Sequence, residues 1–485
     1  MKRLLLAVCL LACAQRRIPS VPAIEWQEYE SEHFILDTDV SQEDAQTIMG
    51  TFESLRAADL LLLAGAHAEY AGHIRLFVPA GGDVFTPLAS AGYVAAYYTH
   101  GVANSGPIIV APAYYCLHLP QLVAHELAHA ISYYIYPQQK KWYAEGLAQF
   151  VETLGRSPVR IDVPGRVADV SGAAGEILPK MNGFIHGKVG IMPPARLLNA
   201  GAADRDAKPE TFYDSSWLLY HWLWNTQGRE LGAFQKRLAD GEDWDDAWRA
   251  AFPDLTTSNE QQMASLYADL STYRRDGRFK TALIEMQAEF AIVQRPFPAR
   301  RLWVALLRKD WPKDEEERRR QQLEELEKAR ADDPKNPSIL LWLSSLKKKA
   351  GVESARAIAQ DAPLDYAGWL GLAAATADPA EEEKALRQAV AVGPDCATCN
   401  NNLAWLLARD GRAKEALAYS NRAVDLAPWN PSHLDTLAEV AVGLGQCDKA
   451  EKLQRRALRM AVFVDRPPAE YEARLAKLRA RCAAK

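Results

Sequence analysis

Two histidines four residues apart, His125 and His129, lie in a stretch that is otherwise largely apolar. Leu122, Val123, Leu127, Ala128, Ala130 and Ile131 surround them, so a helix through this segment is apolar around most of its circumference. Helical geometry places residues i and i+4 one above the other, and both imidazoles therefore point the same way. Buried imidazoles without partners cost free energy, so the fold must give them either two unrelated hydrogen-bond acceptors or one shared cation. With 10 histidines in 485 residues, a His-Glu-x-x-His string arises by chance in roughly one or two such chains per hundred. The bare match is therefore weak, and its apolar surroundings are what strengthen it.

A shared cation is the expectation, and its neighbours suit that chemistry. Glu126 follows the first histidine directly, too close along the helix to chelate easily beside the imidazoles, but well placed to take a proton from a metal-activated water. The string Trp142-Tyr143-Ala144-Glu145-Gly146 places Glu145, sixteen residues beyond His129, on the next helix, where it can supply a third ligand. The expected metal set is His125, His129 and Glu145, with zinc as the ion.

His125-Glu126-Leu127-Ala128-His129 followed by W-x-x-E-G-x-A resembles the gluzincin metallopeptidases of the thermolysin-like clan. The closest likeness is to bacterial peptidase-MA-like domains that carry tetratricopeptide repeats. The resemblance spans about residues 25 to 290, and only the two motifs are specific. It implies that His125, His129 and Glu145 hold zinc, that Glu126 is the general base, and that the substrate is a protein or peptide. Thermolysin has an aspartate one turn after its third ligand that orients a zinc histidine; this chain has Gln149 there, which leaves either Gln149 or Glu152 for that task. In related domains a tyrosine precedes a Ser-Trp helix, as Tyr213 does here. Its phenol either donates to a developing oxyanion or sits half-buried in an aromatic core helix, with His221 a weaker third choice of donor.

The N-terminus begins Met1-Lys2-Arg3 and continues as an apolar run from Leu4 to Ala12, too short for a membrane span and read as a secretory signal. Two cleavage readings stand. Leu10-Leu11-Ala12-Cys13 resembles a lipoprotein box, which removes residues 1–12 and places a lipid anchor on Cys13; ordinary cleavage removes residues 1–14 and starts the chain at Gln15. Lipidation is preferred, although Leu11 is unusual in such a box. Both readings export the protein, to the periplasm or to the bacterial cell envelope. Cys396 and Cys399, and Cys447 with Cys482, then read as structural disulfides of an oxidising compartment, though spacing alone does not set the connectivity. The net charge of −5 is small for this length and no basic stripe with interleaved aromatics occurs, which argues against nucleic acid as a partner.

Along the chain, Trp26 to Asp39 reads as two short strands, Ser41 caps a helix ending near Gly65, and 73–79, 93–100 and 107–111 read as further strands. By the same resemblance, the strand at 93–100 is the edge along which a peptide lies. Residues 155–210, rich in Gly, Pro and Ala, read as a loop-rich connection, and a strong helix starts at Thr211. Toward the C-terminus Leu403-Ala404, Gly411, Ala416 and Ala423 recur as Leu437-Ala438, Gly445, Ala450 and Ala457, each offset by 34 residues. These resemble tetratricopeptide repeats, with degenerate pairs expected in 337–359 and 363–392 and a capping helix in 468–482. The expected architecture is an α+β zincin-like peptidase domain over residues 21–295, followed by an all-α tetratricopeptide-repeat solenoid over 300–485, the two separable because the array forms its own core. The expected function is an exported zinc metallopeptidase whose repeats recruit a protein partner or substrate. The alternative is a repeat-based envelope assembly or scaffold factor with a structural or latent zinc domain, against which the intact Glu126 speaks.

Overall fold

The computed structural model describes residues 18–63, 70–89, 96–99, 106–156, 160–161, 167–177, 179–297, 300–347, 351–463 and 466–483. The expected signal segment with Cys13, the helix stop at Gly65 and half of 93–100 lie outside the described residues. Among the described residues no helix is long and apolar enough to cross a membrane.

Six strands form one mixed sheet in the order β4-β5-β3-β2-β1-β9. They are β1 (Gln27–Glu30), β2 (Phe34–Thr38), β3 (Ile74–Val78), β4 (Tyr97–Thr99), β5 (Ile108–Val110) and β9 (Val293–Pro296). β2, β3 and β5 run parallel, while β1, β4 and β9 are antiparallel to their neighbours. The two-residue period of a strand sorts its side chains: Ile74, Leu76 and Val78 enter the main core with Phe34 and Leu36, whereas Phe77 faces the other side with Ile108 and Val110. Helix α1 (Gln42–Leu62) belongs to the main-core side and starts where expected, because Ser41 Oγ accepts from the Asp44 N–H at 3.1 Å. Helices α2 (Pro120–Ile135) and α3 (Lys141–Glu152) follow, then α4 (Pro209–Thr226), α5 (Gly228–Ala239), α6 (Trp244–Ala251) and α7 (Glu260–Asp276).

The segment 155–210 is not only loop. It contributes β6 (Arg160–Ile161) and β7 (Val167–Ala174), which with β8 (Ala282–Glu289) make a second, antiparallel sheet in the order β6-β7-β8. Small residues in Val167–Ala174 offer no alternation to read, and the partner strand β8 is far away in sequence.

After β9 the chain is helical: α8 (Arg300–Leu307), α9 (Glu315–Asp332), α10 (Pro337–Leu346), α11 (Val352–Asp361), α12 (Tyr366–Ala375), α13 (Pro379–Val392), α14 (Ala397–Arg409), α15 (Ala413–Leu426), α16 (Pro431–Gly443), α17 (Cys447–Phe463) and α18 (Ala469–Ala483). These pair into tetratricopeptide-like hairpins. Ala416, Ala423, Ala438, Ala450 and Ala457 are fully buried, so the small residues of the 34-residue period lie where packed helices meet. Disulfides join Cys396 to Cys399 and Cys447 to Cys482, the latter tying the start of α17 to the end of α18.

The separable halves expected from the repeat pattern do not fit this packing. β9 pairs with β1 in the register Gln27↔Pro296 to Glu30↔Val293, so a boundary at residue 295 falls inside a strand of the main sheet. Leu307 of α8 joins Trp26, Phe77 and Phe297 on the sheet's second face. The repeats also enter the main core directly: Trp429, Leu434, Met460 and Tyr471 belong to the same buried cluster as Val123, Ile131 and Trp142. Trp429 meets Tyr133 and Tyr134 of α2 with ring centroids 5.9 and 6.4 Å apart, and the Tyr134 hydroxyl donates to the Asp425 carbonyl at 2.7 Å. A repeat motif reports contacts between neighbouring repeats and is silent about a large apolar side chain in the turn between them.

One shared core predicts one unfolding transition. Full-length protein in urea should lose tryptophan fluorescence and helical circular dichroism together, and Trp429→Ala should lower stability by about 3–5 kcal/mol, the usual cost of emptying such a site. Two separated transitions would show that the halves fold independently.

Candidate metal centre and cleft

Helix α2 buries most of its surface and leaves one face open. Val123, Ala124, Leu127, Ala128, Ala130 and Ile131 are buried, whereas Leu122, His125, Glu126, His129 and Tyr133 line a cavity of about 1250 Å³. The spacing of that second set is the three-and-four period of a single helical face. The histidines are therefore half-buried at a cleft wall rather than enclosed in the core, each side chain 17% exposed.

Helix α3 brings Glu145 against them. Its Oε2 lies 3.6 Å from His125 Nε2 and 3.4 Å from His129 Nε2, and the three possible ligand atoms all lie within 4.8 Å of one another. Tetrahedral zinc with bonds of about 2.0–2.1 Å separates its ligand atoms by roughly 3.4 Å, so this set fits such an ion after a small closure of the histidine pair. Gly146 makes the placement possible: a Cβ there would stand 2.4 Å from the Ser216 carbonyl oxygen, so only glycine lets α3 lie this close to α4.

Distance decides between Gln149 and Glu152. Glu152 Oε2 stands 3.1 Å from His125 Nδ1, which leaves Nε2 facing Glu145, and Lys180 Nζ donates to both Glu152 oxygens at 3.1 and 3.0 Å. Glu152 is thus the residue that orients a histidine. Gln149 has a different task, donating from Nε2 to the Tyr213 carbonyl at 2.8 Å and so tying α3 to α4.

The electrostatics call for a positive charge at this point. Burial opposes the imidazolium form of His125, yet Glu145 and Glu152 outweigh it and push its pKa up to about 10. Burial likewise works against ionised Glu145, but His129 and His125 prevail and hold its pKa well below the usual carboxylate range. With protein groups alone, a proton supplies the charge that a cation would supply. Glu126 sits beside the cluster; burial raises its pKa, and His125 and His129 pull it back. One of its oxygens accepts from the Tyr98 N–H of β4 at 2.9 Å.

Tyr213 lies within α4, lines the same cavity and is half-buried against the main core beside Phe212, a position that fits both readings of it. His221 is not placed for that task. It is fully buried, its Nδ1 lies 2.7 Å from the Tyr273 hydroxyl and its Nε2 3.0 Å from the Gly175 carbonyl, and burial lowers its pKa to about 4. Glu152 and Lys180 extend the set that the two motifs bring together; Lys180 stands after a segment with no readable periodicity, and nothing in the sequence marks it.

No family model matches the chain, and no curated protein matches it. Solved structures do. TTC0263, a tetratricopeptide-repeat protein of Thermus thermophilus, shares 22% identity over 33% of this chain and 90% of its own, with a TM-score of 0.27. PilW, described as a type IV pilus biogenesis factor, shares 23% over 33% of this chain and 86% of its own, at 0.25. Yeast Tom70 shares 13% over 59% of this chain and 65% of its own, at 0.31. These likenesses are partial, and the gluzincin resemblance stays with the two sequence motifs.

If Glu152 fixes His125, Glu152→Gln should weaken zinc binding about 10–100-fold in a chelator competition. Gln149→Ala should act on thermal stability instead and leave affinity within a few-fold. Equal affinity of Glu152→Gln and wild type would remove Glu152 from the metal site.

Proposed function

We propose that the chain is an exported zinc-dependent metallopeptidase whose helical repeats engage a protein partner or substrate. The observation that carries this is a three-ligand cluster, His125, His129 and Glu145, sharing one open cavity with a carboxylate one residue from the first ligand. The disulfides suit an oxidising compartment outside the cytoplasm.

The chemistry a bound zinc ion supplies is water acidified to a pKa of about 7 and polarisation of a scissile carbonyl. The chain's own residues do the rest. Glu126, with one oxygen fixed by the Tyr98 N–H, offers the other to take the proton of the attacking water and return it to the leaving amine. The Tyr213 phenol donates to the oxyanion. β4 is an edge strand of the sheet and borders the cavity, so an extended peptide can pair along it.

A second reading is a repeat-based assembly or scaffold factor whose metal domain is structural or latent. The Tyr98 N–H bond to Glu126 favours it, because that N–H belongs to the edge strand along which a peptide would pair and is already engaged within the chain. The two readings part on turnover. Purified protein should carry about one zinc per chain, His125→Ala or Glu145→Ala should strip it, and Glu126→Gln should keep the metal while losing hydrolysis of an unfolded model protein. Tyr213→Phe should retain zinc and slow turnover by roughly 10²-fold. Zinc without turnover in wild type leaves the scaffold reading standing, and full zinc occupancy in both ligand variants removes the metal assignment.

A further inference from the structure

The cleft carries carboxylates that its metal centre does not account for. Glu126 and Glu145 belong to that centre and Glu152 holds His125, but Asp214 of α4 also lines the cavity. It is only 8% exposed, and its carboxylate makes no hydrogen bond or ion pair with any described residue. Two charged groups act on it. Lys180 opposes its protonation, but the Lys180 ammonium is already committed to both oxygens of Glu152. Glu210, one turn earlier on α4 and lining the same cavity, adds repulsion. Burial pushes the Asp214 pKa up to about 6, with Glu210 adding to that rise.

Nothing structural asks for an aspartate here. Asp214 sits within α4 between Phe212 and the buried run Ser215 to Leu223, where aspartate is a poor helix former and caps nothing. The carboxylate has no partner in the described chain and faces the cavity, where a ligand group of opposite charge would find an acceptor already placed on a rigid helix. Tyr213, the neighbouring residue, lines the cavity too, so such a ligand group lies close to the proposed oxyanion donor.

We infer that Asp214, with Glu210 beside it, forms a subsite for a cationic group of the substrate, an ammonium or a guanidinium. The inference rests on reading this cavity as a peptide-binding cleft. A peptide offers that cation from two sources, its N-terminal α-ammonium or a lysine or arginine side chain, and both bring the same charge-assisted donors.

The test is binding rather than turnover, so that it does not depend on catalysis. Full-length, zinc-loaded Glu126→Gln protein is titrated by fluorescence anisotropy with three peptides of one length: N-acetylated and neutral, N-acetylated with a single lysine, and neutral with a free N-terminus. At least one cation-bearing peptide should bind about tenfold or more tightly than the neutral one, the scale of one charged hydrogen bond. Which of the two gains identifies the source. Adding Asp214→Asn should bring that ratio close to one, and Glu210→Gln, at an exposed position, should lower it by roughly two- to threefold through charge alone. Equal or absent binding of all three peptides, or a ratio that both substitutions leave unchanged, overturns the subsite. A selective ratio that Asp214→Asn abolishes, in a protein whose wild type hydrolyses nothing, upholds the subsite and overturns the peptidase reading, so the two failures are told apart.

Discussion

The burial of α2 on all but one face is the constraint on which the site depends. The cluster holding Val123, Leu127 and Ile131 also holds the main-core residues of the sheet and of α1, so the rotation of α2 about its axis is set by apolar packing and not by the histidines. A turn of one residue would carry Glu126 and His129 toward that packing and bring alanine or leucine to the cleft. The cost of burying a charge then acts in the same direction as the hydrophobic term, and both keep His125, Glu126 and His129 on the cavity wall. Trp429 completes the clamp from the repeats, packing on Tyr133 and Tyr134 near the end of the helix.

Once α2 is fixed, charge arranges what lies around it. Glu145 faces both imidazoles, Glu152 faces the far nitrogen of one of them, and Lys180 closes the chain of contacts at the cleft's rim. Each pair in that series alternates in sign, which offsets the desolvation of groups that would be expensive alone. The alternation stops at Asp214, where Lys180, the one cation acting on it among the described residues, is already engaged with Glu152. The wall of the cavity on α4 therefore differs from the wall on α2: on α2 and α3 the carboxylates face imidazoles and an ammonium, whereas Asp214 faces no partner among the described residues.

The parts that were legible in the sequence are those with a local period. The i, i+4 histidines, the capping serine at 41, the alternation across Trp26 to Asp39 and the 34-residue recurrence each rest on a fixed spacing along the chain, so the sequence carries the signal. The choice between Gln149 and Glu152 could not be made that way, because both follow Glu145 along one helix; only the position of His125 across the gap selects Glu152. β7 and β8 escaped for a related reason: Gly172 and Ala173 carry little strand preference, and their partners Ile284 and Leu283 lie more than a hundred residues further along the chain. Asp214 is invisible as well, since an isolated aspartate in an amphipathic segment reads as a solvated position.

The repeats illustrate how a correct motif can carry a mistaken inference. The 34-residue period reads as an array that stabilises itself, and α14 to α17 do pack by that rule. Yet the turn between two of those repeats holds Trp429, whose burial needs the aromatic end of α2, and β9 closes the main sheet just before the first repeat helix begins. Apolar area removed from water does not respect a boundary drawn from sequence period, and a tryptophan buried between two elements makes each the other's core. The Cys447–Cys482 bridge acts on the same body, because α17 and α18 deliver Met460, Ala461 and Tyr471 into that core. Restricting the unfolded chain there stabilises the packing beneath α2 as well as the last repeat, so the cleft is held in part by a cross-link remote from it in sequence.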